Sequence, residues 1–348
     1  IFQSTSDSEV VLHLAAQSKK TKLTNRVLQA LKQVQGAFAF VALVNDRLIA
    51  ARDPYGIRPL VMGTLGDAVI FASETCALDM VGASFVRDIE PGEAVVVSED
   101  GIRSERFAPA HPARICAFEY IYFARPDSII GGRSVYEARK QMGRQLAMET
   151  PADVDVIMPV PDSGVPAAIG YAQESGIPFE LGIIRNHYVG RTFIEPTDNI
   201  RHLGVRLKHN GNVAELEGKR VVLVDDSIVR GTTSVKIVEM VRDAGAAEVH
   251  MRISSPPTTH SCFYGIDTPE RSKLLAAKHD LQGMADIIGV DSLAFISWDG
   301  LYRAVGEPSR DIEVPKYCDA CFTGEYPIPL TDRNNAVGPR QLSLLEEG

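Results

Sequence analysis

The sequence predicts two domains of different class, an α+β domain followed by an α/β domain with a mostly parallel sheet. Two observations lead to this prediction. Up to about residue 105, short strand-like runs occur in pairs joined by tight turns, which is typical of antiparallel sheets. From about residue 150, apolar strand-like runs alternate with helical stretches, as in a doubly wound parallel sheet. We therefore predict domains at residues 1–105 and 106–330, followed by a polar tail at 331–348.

Two helices and three hairpins are predicted in the first domain. Ser6 and Glu9 have the spacing of a capping box before a first helix, and a second helix is expected from about Asn25 to Gln35. The strand-like runs that follow form three pairs, each around a short polar turn. These pairs are 37–44 with 47–51, 60–64 with 68–72, and the two runs on either side of Glu99-Asp100-Gly101.

Four apolar runs are the candidate strands of the second domain. Residues 221–224 are continuously apolar, as a strand buried on both faces should be. A helix with Ile237, Val238 and Val241 on one face follows this run and ends near Gly245. The other candidate strands are 154–160, 179–184 and 249–253.

Composition and charge argue against several classes of protein. The chain has 348 residues, of which 45% are hydrophobic, and it contains no apolar run long enough to span a membrane. The formal net charge of −9 argues against a nucleic-acid backbone as the main partner, since proteins that bind it usually present a basic face. Five cysteines without a signal peptide do not indicate a secreted disulfide framework, so we expect a cytoplasmic protein.

The most informative segment follows the apolar run at 221–224. Asp225 and Asp226 stand at the carboxyl end of the predicted strand, where open α/β sheets bind their ligands. A turn with Gly231 and two threonines then leads into a helix, whose free N–H groups can surround a phosphate. The carboxylates suit the hydroxyls of an attached sugar or a magnesium ion. A ribose 5-phosphate supplies both the hydroxyls that suit the carboxylates and the phosphate that suits the helix N-terminus. The alternative is an acidic loop that merely caps a helix.

The run from 221 to 234 resembles the signature of type I phosphoribosyltransferases, which hold phosphoribosylpyrophosphate there. Pro161-Asp162-Ser163-Gly164 ends the candidate strand 154–160, so the same sheet edge is expected to present this turn to the pyrophosphate. Taken alone, the tetrapeptide is also an ordinary turn.

Seven further stretches resemble a narrower group of proteins than the type I phosphoribosyltransferases as a whole. They are Arg52–Leu60, Ala72–Thr75, Ala117–Ser128, Tyr188–Phe193, Ser254–Pro257, Cys262–Asp267 and Cys321–Gly324. Together they are similar to the glutamine phosphoribosylpyrophosphate amidotransferases, and especially to the iron–sulfur type. The resemblance runs from residue 1 to about residue 327 and so covers nearly the whole chain.

The resemblance implies an N-terminal nucleophile hydrolase-type glutaminase domain joined to a type I phosphoribosyltransferase domain. In the family, a terminal cysteine attacks the glutamine amide, and ammonia travels through an internal channel to C1 of phosphoribosylpyrophosphate. This sequence contains neither that cysteine nor the family's oxyanion-hole Asn-Gly, so we expect a partial glutaminase domain without its half-reaction. What remains of the glutamine pocket is Asp7, for the α-amino group, and Arg52 or Arg58. The alternatives are a favourable charge at a helix N-terminus for Asp7 and surface salt bridges for the arginines.

The same resemblance implies the roles of the transferase residues. Asp225 and Asp226 hold the ribose hydroxyls, the backbone from Ser227 to Thr233 anchors the 5-phosphate, and magnesium offsets charge on the leaving pyrophosphate. Tyr188–Phe193, with Arg185 and Arg191, resembles a loop that closes over the substrate and excludes water. The predicted substrate-binding set is Asp7, Arg52, Asp162, Ser163, Arg185, Arg191, Asp225, Asp226, Ser227, Arg230, Gly231, Thr232 and Thr233, with Ser163, Asp225 and Asp226 at the magnesium.

Four of the five cysteines form a candidate metal site. Cys318 and Cys321 have the spacing of a metal clip, whereas Cys116 and Cys262 lie far away in the sequence. Spacing alone allows zinc, a redox pair or chance. The resemblance assigns the four to a [4Fe-4S] cluster, which would fasten the carboxy-terminal end to the domain junction. Cys76 is predicted to be a buried structural thiol.

The predicted reaction transfers ammonia, from glutamine in the full-length enzyme, to C1 of phosphoribosylpyrophosphate. Its products are 5-phosphoribosylamine and pyrophosphate, in the first step of purine synthesis. Inhibition by purine nucleotides and a homotetramer or homodimer follow from the resemblance alone. The alternatives are a phosphoribosylpyrophosphate-sensing regulator that binds DNA and a base-using phosphoribosyltransferase. The acidic net charge argues against the first, and the glutaminase-like leading domain argues against the second.

Overall fold

Helices and two antiparallel sheets form the first part of the chain. The computed structural model describes residues 2–109, 111–186, 188 and 209–330. The helices of the first part are α1 (Glu9–Gln17), α2 (Leu23–Leu31) and α3 (Thr75–Val81). Its strands are β1 (Ala39–Val44), β2 (Arg47–Arg52), β3 (Val61–Leu65), β4 (Ala68–Ala72), β5 (Ser84–Asp88), β6 (Glu93–Ser98) and β7 (Gly101–Arg106).

These elements pack in layers, with α1 and α2 on one side of the two sheets and α3 on the other. One antiparallel sheet has the order β1-β2-β6-β7, and the second has the order β4-β3-β5. Ile49 and Ala51 of β2 belong to the same buried cluster as the apolar faces of α1 and α2. Ala50, which lies between them, packs instead with Leu60 and Met62 on the side of the second sheet. Because successive side chains of a strand point to opposite faces, β2 is buried between two helices and the second sheet.

The three predicted hairpins are confirmed. β1 pairs with β2, β3 with β4, and β6 with β7, all antiparallel. The turn between β1 and β2 places Asn45 at φ 53°, a left-handed conformation that asparagine tolerates better than most residues. Local turn chemistry was therefore a sound guide in this part of the chain.

The helix boundaries of the first part differ from the prediction. α2 ends at Leu31 instead of continuing to about Gln35. The capping box is also wrong, because the Glu9 carboxylate accepts hydrogen bonds from the amides of Gln3 and Ser4, each at 2.8 Å. Glu9 thus holds the segment before the helix, and the N-cap of α1 is Ser8.

A parallel sheet organises the second part of the chain. The strands are β8 (Ile115–Cys116), β9 (Ile129–Ile130), β10 (Arg133–Ser134), β11 (Val156–Pro159), β12 (Ile183–Arg185), β13 (His209–Gly211), β14 (Arg220–Asp225), β15 (Glu248–Ile253), β16 (Ser292–Phe295) and β17 (Tyr317–Cys318). The α-helices are α4 (Val135–Glu149), α5 (Val165–Ser175), α6 (Val213–Leu216), α7 (Thr232–Asp243), α8 (Leu281–Ile288), α9 (Trp298–Ala304) and α10 (Ala320–Thr323). A π-helix spans Glu119–Phe123, and 3-10 turns span Arg271–Lys273 and Leu275–Ala277.

The parallel sheet has the order β11-β14-β15-β16 and carries helices on both faces. Val222 and Val224 of β14 belong to the buried cluster that contains the apolar faces of α4 and α5. Val221 and Leu223 belong to the other cluster, with residues of α7 and α8. β14 is therefore buried on both faces, as its continuous apolar run predicts.

One predicted strand lies elsewhere along the chain. The run at 179–184 makes only a single bridge to the sheet, between Phe179 and Ile157. At Gly182 the chain turns away from the side of β11. Gly182 packs so tightly against Met158 that a side chain at position 182 would collide with the Met158 sulfur. The strand itself is Ile183–Arg185, and it pairs with β13 outside the parallel sheet.

The carboxy-terminal part of the described chain returns to the junction between the two parts. β17 pairs with β8 in parallel, which places Cys318 opposite Cys116. None of the helices in the described ranges combines the length and apolarity needed to cross a membrane. The boundaries 1–105 and 106–330 stay predictions, and the tail at 331–348 lies outside the described residues.

Candidate active site

Two adjacent carboxylates stand at the carboxyl end of β14. Asp225 and Asp226 are 7% and 6% exposed. The Asp226 amide donates to Asp225 Oδ1 at 2.9 Å, and the Ser227 hydroxyl donates to Asp226 Oδ2 at 2.5 Å. Burial and the charge of Asp226 raise the pKa of Asp225 well above its ordinary value. Two buried like charges are suited to a ligand that supplies a cation or several hydroxyl donors.

The turn after these acids opens the N-terminus of α7. Gly231 has φ 79°, and a side chain there would collide with Leu275. The Gly231 carbonyl accepts the first helical hydrogen bond from the Val235 amide at 3.0 Å. The amides of Thr232 and Thr233 precede that bond and have no acceptor within the helix. Such an N-terminus, with Thr232 exposed, suits an anion of the size of a phosphate.

The turn after β11 lies beside the end of β14. The Val160 amide donates to the Val224 carbonyl at 2.9 Å. Gly164 approaches the same carbonyl so closely that a Cβ atom would lie 2.2 Å from its oxygen, and only glycine permits this. The turn with Asp162 and Ser163 is therefore at the sheet edge where Asp225 stands. The contact of Asp162 and Ser163 with pyrophosphate stays a prediction.

Arg185 joins the base of the predicted closing loop to this edge. It ends β12, is half-buried, and forms an ion pair with Asp162. Two predicted site residues that are distant in sequence are thus neighbours in space. Arg191 and most of the Tyr188–Phe193 stretch lie outside the described residues.

Asp7 and Arg52 have different surroundings. Asp7 is exposed just before α1. Arg52 is buried, and its guanidinium donates to the carbonyls of Gly56, Arg58 and Ile89 at 2.7–2.8 Å. The surface salt bridge considered for Arg52 is therefore wrong, because this arginine stabilises the turn after β2 from within. Contact of either residue with glutamine stays a prediction.

Arg139 of α4 is a buried cation that sequence reasoning missed. It is 4% exposed. Burial lowers the pKa of Arg139, and the charge of Asp226 opposes this shift. A signal was available in the sequence, since the helical spacing places Arg139 on the apolar face of α4 with Val135 and Met142. A charged residue on such a face usually has a specific partner.

The four cysteines at 116, 262, 318 and 321 line one largely apolar cavity. Burial and the neighbouring cysteines raise the pKa of Cys318 to about 12, and they also raise the pKa of Cys116 and Cys321. In the part of the chain that the structure describes, no three His, Cys, Asp or Glu side chains converge as ligands of a single metal ion. Cys76 is buried, as predicted.

Two protein-family models match the chain. A glutamine amidotransferase domain matches residues 1–80, and a phosphoribosyl transferase domain matches residues 134–254. The second match contains both turns of the sheet edge described above. The two matches follow each other in the order of the two parts of the fold.

Whole-chain similarity decides the family. An amidophosphoribosyltransferase of Rhizobium etli is 58% identical over 351 residues, which cover 99% of this chain and 71% of the relative. The chain belongs to the amidophosphoribosyltransferase family. The amidophosphoribosyltransferase of Bacillus subtilis is 50% identical, and the match covers 95% of this chain and 69% of that protein. Amidophosphoribosyltransferase 1 of Arabidopsis thaliana chloroplasts is 53% identical, and this chain spans 58% of its length.

Solved structures of amidophosphoribosyltransferases share the fold. The B. subtilis enzyme in complex with ADP and GMP has a TM-score of 0.88 at 50% identity, and the match covers 94% of this chain and 72% of that chain. A structure of the allosteric regulatory enzyme of purine biosynthesis has a TM-score of 0.87 at 49% identity, with 94% and 70% covered. The predicted fold class and enzyme family are confirmed, and a DNA-binding regulator is not supported.

Proposed function

We propose that this chain transfers ammonia to C1 of phosphoribosylpyrophosphate, giving 5-phosphoribosylamine and pyrophosphate in the first step of purine synthesis. One observation carries the proposal: Asp225 and Asp226 are buried directly before the open N-terminus of α7. A ribose 5-phosphate presents hydroxyl donors to the acids and an anion to the helix. Membership of the amidophosphoribosyltransferase family supports glutamine as the source of the ammonia.

The residues around the turn hold the substrate. The backbone from Ser227 to Thr233, with Arg230 at the surface, anchors the 5-phosphate through N–H groups and hydroxyls. Asp225 and Asp226 accept hydrogen bonds from the ribose hydroxyls. Because the acids end a buried strand, they are held rigidly relative to the phosphate site, as productive positioning requires.

The reaction is a substitution at C1. The bond from C1 to the pyrophosphate oxygen breaks as the nitrogen lone pair of ammonia forms the new bond, and the surplus proton leaves to solvent or to the departing pyrophosphate. Positive charge builds at the ribose carbon in the transition state, and the negative field of Asp225 and Asp226 stabilises it. Positioning and electrostatics supply most of the rate enhancement, since no protein group bonds to the sugar.

A magnesium ion fits the oxygen donors at this edge. Asp225, Asp226 and Ser163 are the residues that would hold it, together with the substrate's own oxygens. When bound, the ion offsets charge on the leaving pyrophosphate. Magnesium is usually held by one or two carboxylates, water and substrate phosphates, so the lack of a converging ligand group among the described residues is compatible with it.

We propose a [4Fe-4S] cluster, in preference to zinc, for the four cysteines. A single zinc ion requires its four thiolates to converge on one point. Each thiolate of an iron–sulfur cluster binds a different iron, so the ligands stand around a volume, and the four cysteines here line one cavity. When bound, the irons offset the repulsion between the buried thiolates, and the cluster fastens β17 to β8.

The remaining partners are proposals from the family. Arg185 and Arg191 belong to a loop that closes over the substrate, and the ion pair of Arg185 with Asp162 supports a place for its base at the pyrophosphate turn. The B. subtilis structure contains ADP and GMP, which supports purine nucleotides as feedback inhibitors here. A homotetramer or homodimer in the cytoplasm completes the proposal.

The first experiment measures pyrophosphate release from phosphoribosylpyrophosphate and magnesium, with ammonium chloride at raised pH or with glutamine, in anaerobically prepared protein. Release with ammonia is expected, and Asp226→Asn should lower it by about 100-fold. The matched control is Asp153→Asn, because Asp153 is exposed at the opposite end of the sheet, beside Arg220. No release from folded, metal-replete protein would overturn the proposal, and full activity of Asp226→Asn would remove Asp226 from the site.

A further inference from the structure

One short turn of the chain carries Cys318 and Cys321, two of the four cysteines that line the cavity. Asp319 stands directly after Cys318 and is 4% exposed. Its carbonyl accepts hydrogen bonds from the amides of Phe322 and Thr323, at 2.9 and 3.1 Å. Because Cys321 lies inside the loop that these hydrogen bonds close, the position of Asp319 fixes the place of Cys321 relative to Cys318.

The Asp319 carboxylate is held by three side chains inside the protein. Arg310 donates from Nε to Oδ2 at 2.6 Å and from Nη2 to Oδ1 at 3.3 Å. The Tyr302 hydroxyl donates to Oδ2 at 3.0 Å, and the Thr323 hydroxyl donates to Oδ1 at 3.2 Å. The side chains of Arg310 and Asp319 are each 5% exposed. The planar guanidinium thus reaches both carboxylate oxygens, which a lysine ammonium cannot do with the same geometry.

Arg310 is itself fixed against helix α9. Its amide donates to Asp299 Oδ1 at 3.0 Å, and its guanidinium lies 5.9 Å from the centre of the Trp298 ring. Leu301 and Tyr302 of α9 belong to the buried cluster that contains the apolar face of α4. The turn with the two cysteines is therefore fastened, through one buried ion pair, to helices that pack on the parallel sheet.

Charge explains why a cation is needed beside this turn. Cysteines bind metals as thiolates, and the Asp319 carboxylate adds a further negative charge between two of them. Arg310 compensates this carboxylate within the protein. Glu325, the second carboxylate that Arg310 contacts, is about half exposed and is therefore stabilised by water. Without Arg310, Asp319 keeps an uncompensated buried charge, or it moves towards solvent and takes the turn with it.

We propose that Arg310 and Asp319 are positioning residues for the cysteine site, and that their ion pair holds Cys318 and Cys321 in place to bind the cluster. The pair acts through the cysteines and not as a ligand. This inference rests on the proposed cluster, because the two cysteines matter here as its ligands. Residues that orient metal ligands from outside commonly change metal affinity by about 10–100-fold when they are replaced.

The test measures how fast anaerobically purified protein releases iron to an excess of the chelator ferrozine. Arg310→Met should release iron about 10–100-fold faster than the wild type, because the turn loses its anchor and keeps a buried charge. Arg310→Met combined with Asp319→Asn removes that charge and should return the rate towards the wild-type value. Arg310→Lys should give an intermediate rate, since it keeps the charge without the planar fork.

Arg303→Met is the matched control. Arg303 also fastens α9 to α4, since it donates to Gln145 and Glu149 at 2.8 Å, but it lies on the exposed side. This variant should leave the rate of iron release unchanged. Equal acceleration in Arg303→Met and Arg310→Met would overturn the proposal, because both would then act through the packing of α9. A wild-type rate in Arg310→Met, or no recovery in the double variant, would overturn it as well.

Metal analysis of the wild type separates this proposal from that of the cluster. If the wild type contains no iron, the cluster proposal fails, and the anchor is tested after EDTA treatment by the rate at which iodoacetamide alkylates Cys318 and Cys321. Arg310→Met should then react about tenfold faster than the wild type, because loss of the ion pair eases local opening. Equal rates would contradict the anchor. If Arg310→Met does not fold, Arg310→Lys and Tyr302→Phe decide, and wild-type rates in both would overturn the proposal.

Discussion

At the scale of single residues, Asp225 shows how a binding site conflicts with stability. Burial and the charge of Asp226 raise the pKa of Asp225, so its ionised form is unfavourable in the folded protein. A carboxylate whose pKa is raised on folding loses stability as the pH rises from its unfolded pKa of about 3.9 towards the folded value. At neutral pH the free protein is therefore destabilised at this site, and a bound ribose or cation relieves the destabilisation.

Replacing Asp225 should separate these two effects. We expect Asp225→Asn to raise the Tm at pH 7 by about 2–4 °C and to lower ammonia-dependent kcat/KM by about 100-fold. The gain in Tm should shrink as the pH falls towards 4, where the wild-type carboxyl is protonated. Thermal unfolding at both pH values measures this. An equal loss of Tm at both would mean that the hydrogen bond from the Asp226 amide outweighs the charge.

Glu93 is the opposite case. Burial alone would raise the pKa of Glu93, but hydrogen bonds from Arg87, Ser104 and the Glu90 amide lower it from 4.5 to about 2. A carboxylate whose pKa is lowered on folding stabilises the protein above its unfolded pKa, and this stability is lost as the pH falls from 4.5 towards 2.

Removal of the Glu93 charge should flatten that acid dependence. Glu93→Gln is expected to lower the free energy of unfolding at pH 7 by about 1.5–3 kcal/mol, because it weakens hydrogen bonds to a charged, buried group. The slope of this free energy between pH 4.5 and 2 should decrease with it. Glu105→Gln is the control, since the pair of Glu105 with Arg103 is at the surface. Denaturant unfolding over this pH range would contradict the prediction if both variants behaved alike.

At the scale of elements, α4 and α5 pack closely together on one face of the sheet that carries the site. A Cβ atom at Gly143 would lie 1.9 Å from the Ala167 carbonyl oxygen, and one at Gly170 would lie 2.0 Å from that of Lys140. The helices therefore touch backbone to backbone at both glycines. α5 begins directly after the turn with Asp162 and Ser163, so its distance from α4 also sets the place of that turn.

A single methyl group tests this packing. Gly143→Ala should lower the free energy of unfolding by about 1–3 kcal/mol or more, because backbone must move to admit the side chain. Gly283→Ala in α8 is the matched control, since its nearest contact is the Asp280 side chain at 3.1 Å and alanine favours a helix. Denaturant unfolding measures both, and equal stability of the two variants would disprove the close approach.

At the scale of the whole molecule, the carboxy-terminal part of the described chain packs back onto earlier segments of the second part. β17 lies beside β8, and the Tyr264 hydroxyl donates to the Ile328 carbonyl at 2.8 Å. Arg310 and Asp319 form a buried ion pair at 2.6 Å beside Cys318. The cysteine cavity lies within this arrangement, and Val229 of the phosphate turn forms part of its wall. Loss of the proposed cluster should therefore loosen a region that contacts the active site.

Cysteine replacement tests the cluster separately from the reaction. Anaerobically purified Cys321→Ser should lose iron, sulfide and the broad absorbance of the wild type near about 400 nm, as expected when one of four cluster ligands is removed. Its Tm should fall as well. Cys76→Ser is the matched control, because Cys76 is a buried thiol away from the cavity. One equivalent of zinc and no iron in the wild type would contradict the cluster.

Much of the fold was predictable because its signals are local. The turns of the three hairpins, the apolar run of β14 and the acids and glycine after it each lie within a few consecutive residues. Such short-range patterns record whether a strand is buried on one face or two, and where a ligand edge begins. The phosphate turn was the clearest candidate site for this reason. The position of β12 was missed because its pairing partner is β13, which is distant in sequence.

The sequence by itself thus determined the fold class, and it identified the turn after β14 as the candidate phosphate site, with its candidate ligands. The tertiary structure alone decided which of them meet: Arg185 with Asp162, Arg58 with Glu119, and the four cysteines around one cavity. It also showed that Arg52 is buried and donates to the carbonyls around its own turn, where a surface salt bridge was the alternative. The physical reason is that burial and charge pairing depend on residues distant in sequence, whereas strand periodicity and turn chemistry depend on neighbours.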